Sequence, residues 1–434
     1  MTRLSSLRTR RAPRSATLLA AALILALPIP GAAADRESRS WVAAWGTSQQ
    51  ALGAAQLTDA TVRVIARVTI PGDAVRIRLD NTYGTSPVTF GSVYVGQRVQ
   101  NAEVAAGSNR AVTFGGSTGV TVPAGGSAVS DPVALTVYAQ QDLAVSLHVP
   151  GAGVRPSQHS GAVVTSYYTA NGAGDVAAAE LRTAFTNTTT STWWLKGIDV
   201  QGSSSSGAIV AFGDSITDGT CTTLDAHDRW EDWVSVRLGS VEAAGEIGQG
   251  RANRRLLKAV VNEGIGGNTV TREGLSPPPD STPGVERLER DVLSHVGVTH
   301  VVLFMGTNDI RREASAAQVI DGMANIIQRV HARGLPIVGV TIIPRHNRPP
   351  AGTNTGWNDA KTAIRNEVNR WIRTEAPFDA VVDFDAVVRD PANHDLIFPA
   401  FNCGDGIHPS PAGYYAMGQS VDVRLLDDLG QSSR

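Results

Sequence analysis

Four short polar segments carry residue types that could do chemistry together. Gly213-Asp214-Ser215-Ile216-Thr217 follows directly on the apolar run Ala208–Phe212. A serine in a turn between strand and helix is exposed, and its backbone N–H can face a bound anion. The plainer alternative is a helix N-cap serine. Asp405-Gly406-Ile407-His408-Pro409 sets a carboxylate three residues before an imidazole. That carboxylate can reach Nδ1 within one turn of chain, which leaves Nε2 to take a proton from a serine hydroxyl. A lone His is more often structural, and an Asp–His pair can bind metal. No third and fourth ligand stands at a convincing spacing, so neither metal nor cofactor is expected. Gly306-Thr307-Asn308-Asp309 could aim an amide at a developing oxyanion, or simply turn the chain. Asn262-Glu263-Gly264-Ile265-Gly266-Gly267-Asn268 has glycines that let a backbone amide approach a ligand closely. Its glycine spacing is not that of a dinucleotide fingerprint.

These segments need elements to hold them. Continuously apolar runs at Ala208–Phe212, Ala259–Asn262, His300–Met305, Pro336–Ile343 and Ala380–Phe384 read as buried strands. Helical patterns near Arg229–Leu238, Val285–His295, Ala316–Ala332 and Trp357–Thr374 lie between them, and a last helix begins near Pro411, where proline suits a first turn. Alternating strands and helices predict an α/β domain over 208–434, with a mainly parallel sheet covered on both faces. In open sheets of this kind ligands gather at the carboxyl ends of the strands, where three of the segments fall. Residues 35–200 read differently. Val62–Val68, Val75–Leu79 and Leu143–Val149 alternate apolar and polar residues wholly or in part, and turn residues separate them at short intervals. That pattern predicts an all-β sandwich. Gln201–Gly207, rich in Ser and Gly, reads as a linker. Gly115-Gly116-Ser117-Thr118-Gly119 matches a nucleophile elbow, but no helix follows it, so it reads as a hairpin turn.

The first 34 residues read as a secretory signal peptide. Arg3, Arg8, Arg10, Arg11 and Arg14 precede an apolar run, Ala16–Leu27, and Ala32-Ala33-Ala34 offers a cleavage site. A membrane anchor is the alternative, although the run is too short to span a bilayer comfortably. Arg10-Arg11 matches a twin-arginine signal poorly, which favours the general secretion route. The leader holds five Arg and no acid, so its removal takes the formal net charge from −2 to −7. That charge argues against nucleic acid and against strong binding to anionic lipid. The two cysteines of an exported chain can pair. Cys221 lies six residues after Ser215 and Cys403 two before Asp405. A bridge between them would clamp two site loops together; otherwise they are two unrelated thiols.

The four segments, in this order, resemble the signature of the SGNH (GDSL-type) hydrolases. The resemblance spans about half the chain, from Ala208 to the C-terminal helix, and implies a three-layer α/β/α domain and a serine esterase. It assigns Ser215 as nucleophile, His408 as base and Asp405 as its partner. It gives an oxyanion hole from the N–H groups of Ser215 and Gly267, with Gly266 as the fallback, and the Asn308 amide. Ile216 stands where the family usually has leucine. Trp41-Val42-Ala43-Ala44-Trp45-Gly46-Thr47 and the strands after it are similar, more loosely, to exported bacterial SGNH esterases with a β-sandwich before the hydrolase domain. Some of these are linked to xylan degradation. The implied activity is removal of short acyl groups from carbohydrate. The alternatives are a lipase or broad esterase, or a glycan-binding protein with an inactive hydrolase fold. Trp193-Trp194 could offer a sugar-stacking surface or pack in a core, and His346 could line the substrate side. Oligomeric state is not legible.

Overall fold

Residues 41–202, 207–248, 257–345 and 356–428 are described by a computed structural model of the chain. The leader, residues 203–206 of the linker and His346 lie outside them. The second half is built on five parallel strands: β1 (Ala208–Gly213), β2 (Ala259–Gly264), β3 (Val298–Phe304), β4 (Ile337–Val340) and β5 (Ala380–Val382). Their order in the sheet is β2-β1-β3-β4-β5. The chain passes from β1 to one neighbour and then to the other. In open α/β sheets such a reversal marks where ligands bind, here above the carboxyl ends of β1, β2 and β3.

Helices cover both faces, which is why the strands show no polar alternation. Ile209, Ala211, Val260, Val302 and Val338 pack against Trp230 and Val234 of α2 (Trp230–Gly248) and against Tyr414 and Met417 of α8 (Pro411–Ser420). Val210, Phe212, Val261, Val301 and Leu303 share the opposite core with α3 (Gly284–Leu288), α5 (Ala316–His331) and α6 (Asp359–Thr374). Local chemistry marks the helix starts. Ser315 and Gln318 form a capping box on α5, and the side chains of Asn358 and Ser410 cap α6 and α8.

Two predicted strands are shorter than their apolar runs. Beyond β4 the Asn369 side chain accepts from Ile342 N at 2.7 Å and donates to Ile342 O at 2.8 Å. An α6 side chain thus takes the backbone groups that a longer β4 would give to the ladder. Phe384 leaves β5 because Asp383 caps a short helix, α7 (Phe384–Val388), by accepting from Ala386 N at 3.1 Å. The sequence pattern also missed two short helices beside the site, α1 (Ser215–Asp218) and α4 (Thr307–Arg311). Four or five residues are too few to show a helical period.

The first half is all-β. One antiparallel sheet contains Trp41–Gly46, Leu195–Gln201, Gly72–Asp80 and Val133–Val137; another contains Ser166–Tyr168, Ala60–Val68, Gln141–Val149 and Val93–Gln97. They share one apolar core. The partial alternation at Val62–Val68 has a physical cause. Val62, Val64, Ala66 and Val68 face that core, while Arg63 and Ile65 lie under a second layer. Arg63 donates there to Ser146 Oγ and Ala102 O and sits 4.0 Å over the Phe185 ring. Trp193 and Trp194 are buried and pack against Tyr168 and Phe90, so they form no sugar-stacking surface. Gly115–Gly119 lies in an exposed turn closed by Phe114 and Ser117.

The all-β region packs directly on the edge of the parallel sheet. Ala43 N donates to Val296 O at 3.0 Å, Thr69 Oγ1 accepts from Val260 N at 3.1 Å, and Lys196 Nζ donates to Arg290 O at 2.8 Å.

Candidate active site

Ser215 is the first residue of α1, at the carboxyl end of β1. The Asp214 carboxylate beneath it accepts from Ile216 N at 3.0 Å and fixes the turn. Burial pushes the Asp214 carboxyl up to about 6. The Ser215 hydroxyl lies 2.8 Å from His408 Nε2, and His408 Nδ1 lies 2.6 Å from Asp405 Oδ2. The other Asp405 oxygen accepts from Ile407 N at 2.8 Å and His408 N at 2.9 Å. Burial opposes the Asp405 charge, but these bonds and the imidazole outweigh it and hold the carboxyl down at about 2. An ionised Asp405 puts the ring proton on Nδ1 and leaves Nε2 as the acceptor for the serine proton.

Residues 215 and 408 are far apart in the chain, and two tethers hold their loops together. Cys221 and Cys403 are disulfide-bonded. The Tyr414 hydroxyl of α8 donates to Thr220 O at 2.7 Å. Cys221, Asp405 and His408 also cluster as three metal-ligating types. The disulfide occupies the sulfur, however, and the other two residues are engaged with each other and with Ser215.

Two further segments meet at the same end of the sheet. After β2, Gly267 takes the left-handed conformation, φ 72°, that glycine adopts without strain. Gly266 N–H is committed to Asp218 Oδ2 at 2.9 Å. Among the described residues no hydrogen bond is recorded from Gly267 N–H. After β3, the Asn308 amide donates to Asn268 O at 3.0 Å, and its oxygen accepts from Arg345 Nη1 at 3.2 Å. These contacts fix which way the amide points and leave it a second N–H. Asp309 accepts from Val270 N and Thr271 N, which ties the β2 loop to the β3 loop.

Sequence reasoning missed the residues that hold this loop. Arg287 on α3 is buried. It donates to Gly213 O and Ser48 Oγ at 2.8 Å, to Glu263 O at 2.9 Å and to Asn268 Oδ1 at 3.0 Å. It thereby joins the ends of β1 and β2 to the glycine loop. Its one local signal was an acidic partner at i+4, Asp291, within an apolar helical pattern. Arg345 and His159 had no such signal.

Residues 211–416 match the family model described as GDSL-like lipase/acylhydrolase. No curated protein matches the chain significantly. Solved structures similar to it include a member of the lipolytic G-D-S-L family from Veillonella parvula, 19% identical, covering 49% of this chain and 94% of that one at TM-score 0.34. Est24, a carbohydrate acetylesterase from Sinorhizobium meliloti, is 16% identical and covers 50% and 98% at TM-score 0.38. The M. smegmatis aryl esterase is 20% identical and covers 51% and 99% at TM-score 0.37. Residues 211–416 are thus a GDSL-like lipase/acylhydrolase domain, of a family of carboxylic ester hydrolases.

Proposed function

We propose that this is a secreted serine esterase that removes short acyl groups from carbohydrate, with Ser215 as nucleophile. The observation that carries the reading is the unbroken chain Ser215 Oγ–His408 Nε2 at 2.8 Å and His408 Nδ1–Asp405 Oδ2 at 2.6 Å. Ser215 Oγ attacks the ester carbonyl carbon as its proton moves to Nε2. The carbonyl oxygen becomes an oxyanion, held by the N–H groups of Ser215 and Gly267 and the free N–H of the Asn308 amide. The C–O bond to the alcohol breaks, and the imidazolium returns the proton to the departing oxygen. Water then attacks the acyl-serine by the same route, and the acid leaves. Export rests on the leader Met1–Ala34. The carbohydrate substrate rests on the likeness of the all-β region to exported esterases.

The test is hydrolysis of aryl esters of increasing acyl length beside acetylated xylan, by the mature protein and by Ser215→Ala. Acetyl release from xylan, with aryl-ester hydrolysis that falls as the acyl chain lengthens, both lost in the folded variant, is the expected result. Undiminished turnover in Ser215→Ala overturns the nucleophile, and a preference for long acyl chains overturns the carbohydrate reading in favour of a lipase.

A further inference from the structure

The glycine loop after β2 is held from outside the hydrolase domain. His159 lies on the short strand Ser157–His159 of the all-β region and is 2% exposed. Its Nδ1 donates to Ser48 O at 2.9 Å, so Nδ1 carries a proton. Its Nε2 lies 2.9 Å from Asp218 Oδ1, and a carboxylate oxygen there requires a second donor. Burial disfavours the charged ring, but Asp218 and the Ser48 carbonyl outweigh it and raise its pKa. The other oxygen of Asp218 accepts from Gly266 N at 2.9 Å. His159, Asp218 and Gly266 therefore form one continuous hydrogen-bonded chain. It ends one residue from the Gly267 N–H.

Asp218 is also the last residue of α1, three after Ser215. Packing allows α1 and the glycine loop little relative movement. A Cβ at Gly264 would stand 2.2 Å from Asp218 N. Asn262 Nδ2 donates to Thr217 O at 2.6 Å. A second strut from the all-β region reaches the loop from the other side. Ser48 Oγ donates to Glu263 Oε2 at 2.5 Å and accepts from Arg287, which in turn holds Asn268. The loop that presents Gly267 is thus gripped at Gly266 and at Asn268, and both grips start in the all-β region.

We propose that His159 is a positioning residue for ester hydrolysis: through Asp218 it holds the Gly266 N–H, and so orients the Gly267 N–H toward the oxyanion. The all-β region then completes the site as well as packing on it. The inference rests on the esterase reading above. If Gly266 loses its acceptor, the Ile265–Gly266 peptide is freer to rotate, and the next peptide, which carries the Gly267 N–H, no longer points at a fixed place. Geometry of this kind matters for the transition state more than for substrate binding.

The experiment uses the full mature chain and three variants: His159→Ala, His159→Gln and Asp218→Leu. Active serines are counted by end-point labelling with a fluorophosphonate, and kcat and KM are measured on an aryl acetate per labelled serine. Removing an oxyanion donor outright costs about 10²–10³ in kcat, so misdirecting one should cost on the order of tenfold. We expect that loss in His159→Ala with KM changed less than about twofold. His159→Gln keeps a donor to Asp218 and should recover most of it. Asp218→Leu removes both acceptor oxygens at similar volume; it should reproduce the loss, and it carries the test if the alanine variant does not accumulate. In parallel, hydrogen exchange of a peptide spanning Gly264–Asn268 should quicken in His159→Ala and Asp218→Leu but not in His159→Gln. Unchanged kcat per labelled serine, or a glutamine variant as impaired as alanine, overturns the proposal. A wild type without Ser215-dependent turnover would instead remove the esterase reading, and the exchange measurement would still decide whether the clamp exists.

Discussion

Replacing Asp405 by Asn exchanges one oxygen for an NH2 group and should nearly abolish turnover. Asp405 Oδ1 accepts two backbone N–H groups, from Ile407 and His408, and Oδ2 faces His408 Nδ1. An asparagine has one oxygen for these two places. Turning its NH2 toward the backbone would misdirect two N–H donors at about 1–3 kcal/mol each. The oxygen therefore stays with the backbone, and the NH2 faces Nδ1. His408 must then carry its proton on Nε2, against the Ser215 hydroxyl, where it can no longer accept one. The imidazolium of the transition state also loses its carboxylate. The depression of Asp405 to about 2 corresponds to a few kcal/mol before screening, and to about 1–2 kcal/mol for a half-buried group. Together these place the loss near 10⁴-fold in kcat, about 5 kcal/mol. The assay is kcat on an aryl acetate, with circular dichroism and thermal melting to show that the variant is folded. A folded Asp405→Asn enzyme within about tenfold of wild type would refute the tautomer argument.

Three other expectations can be checked with small panels. Asn308→Ala removes the side-chain donor that the proposed mechanism assigns to the oxyanion and should lower kcat by about 10²–10³ with little change in KM; a loss confined to KM would place Asn308 in substrate binding instead. The Cys221–Cys403 bridge closes a sequence separation of 182 residues, which in the chain-entropy view contributes at most about 5 kcal/mol. Dithiothreitol or Cys403→Ser should therefore lower the melting temperature and kcat together, and two free thiols in the denatured, unreduced mature protein would show that the bridge is absent. Burial pushes the Asp309 carboxyl up to about 7. A folded value above the unfolded one, about 3.9, means the folded state keeps the proton longer. The resulting stabilisation is complete below about pH 4 and is lost as pH rises through 7. The urea midpoint of wild type minus that of Asp309→Asn should fall across that window; a difference that does not vary with pH would contradict the shift.

Some of this protein was legible residue by residue. Asp405 and His408 are three apart, so one turn of chain brings carboxylate and imidazole together whatever surrounds them. The five apolar runs predicted the parallel sheet because strands covered on both faces carry few polar residues, and that requirement is written locally. The all-β character of residues 41–200 followed from period-two patterning and turn residues in the same way. The ends of β4 and β5 did not follow, because Asn369 and Asp383 compete for backbone groups from other elements.

The site as a working arrangement was decided only in three dimensions. Nothing local brings Ser215 to 2.8 Å from a ring 193 residues away; the disulfide, the Tyr414 bond and the sheet order do that together. Neither Gly266 nor Gly267 is marked by its type as the free donor. The distinction arises because Asp218 takes one of the two N–H groups. Arg345 and His159 were invisible for the same reason, and Arg287 was marked only by its i+4 acidic partner, Asp291. A buried polar side chain is stabilised by whichever partners the fold brings within about 3 Å, and those partners leave no period or spacing in the chain that supplies it.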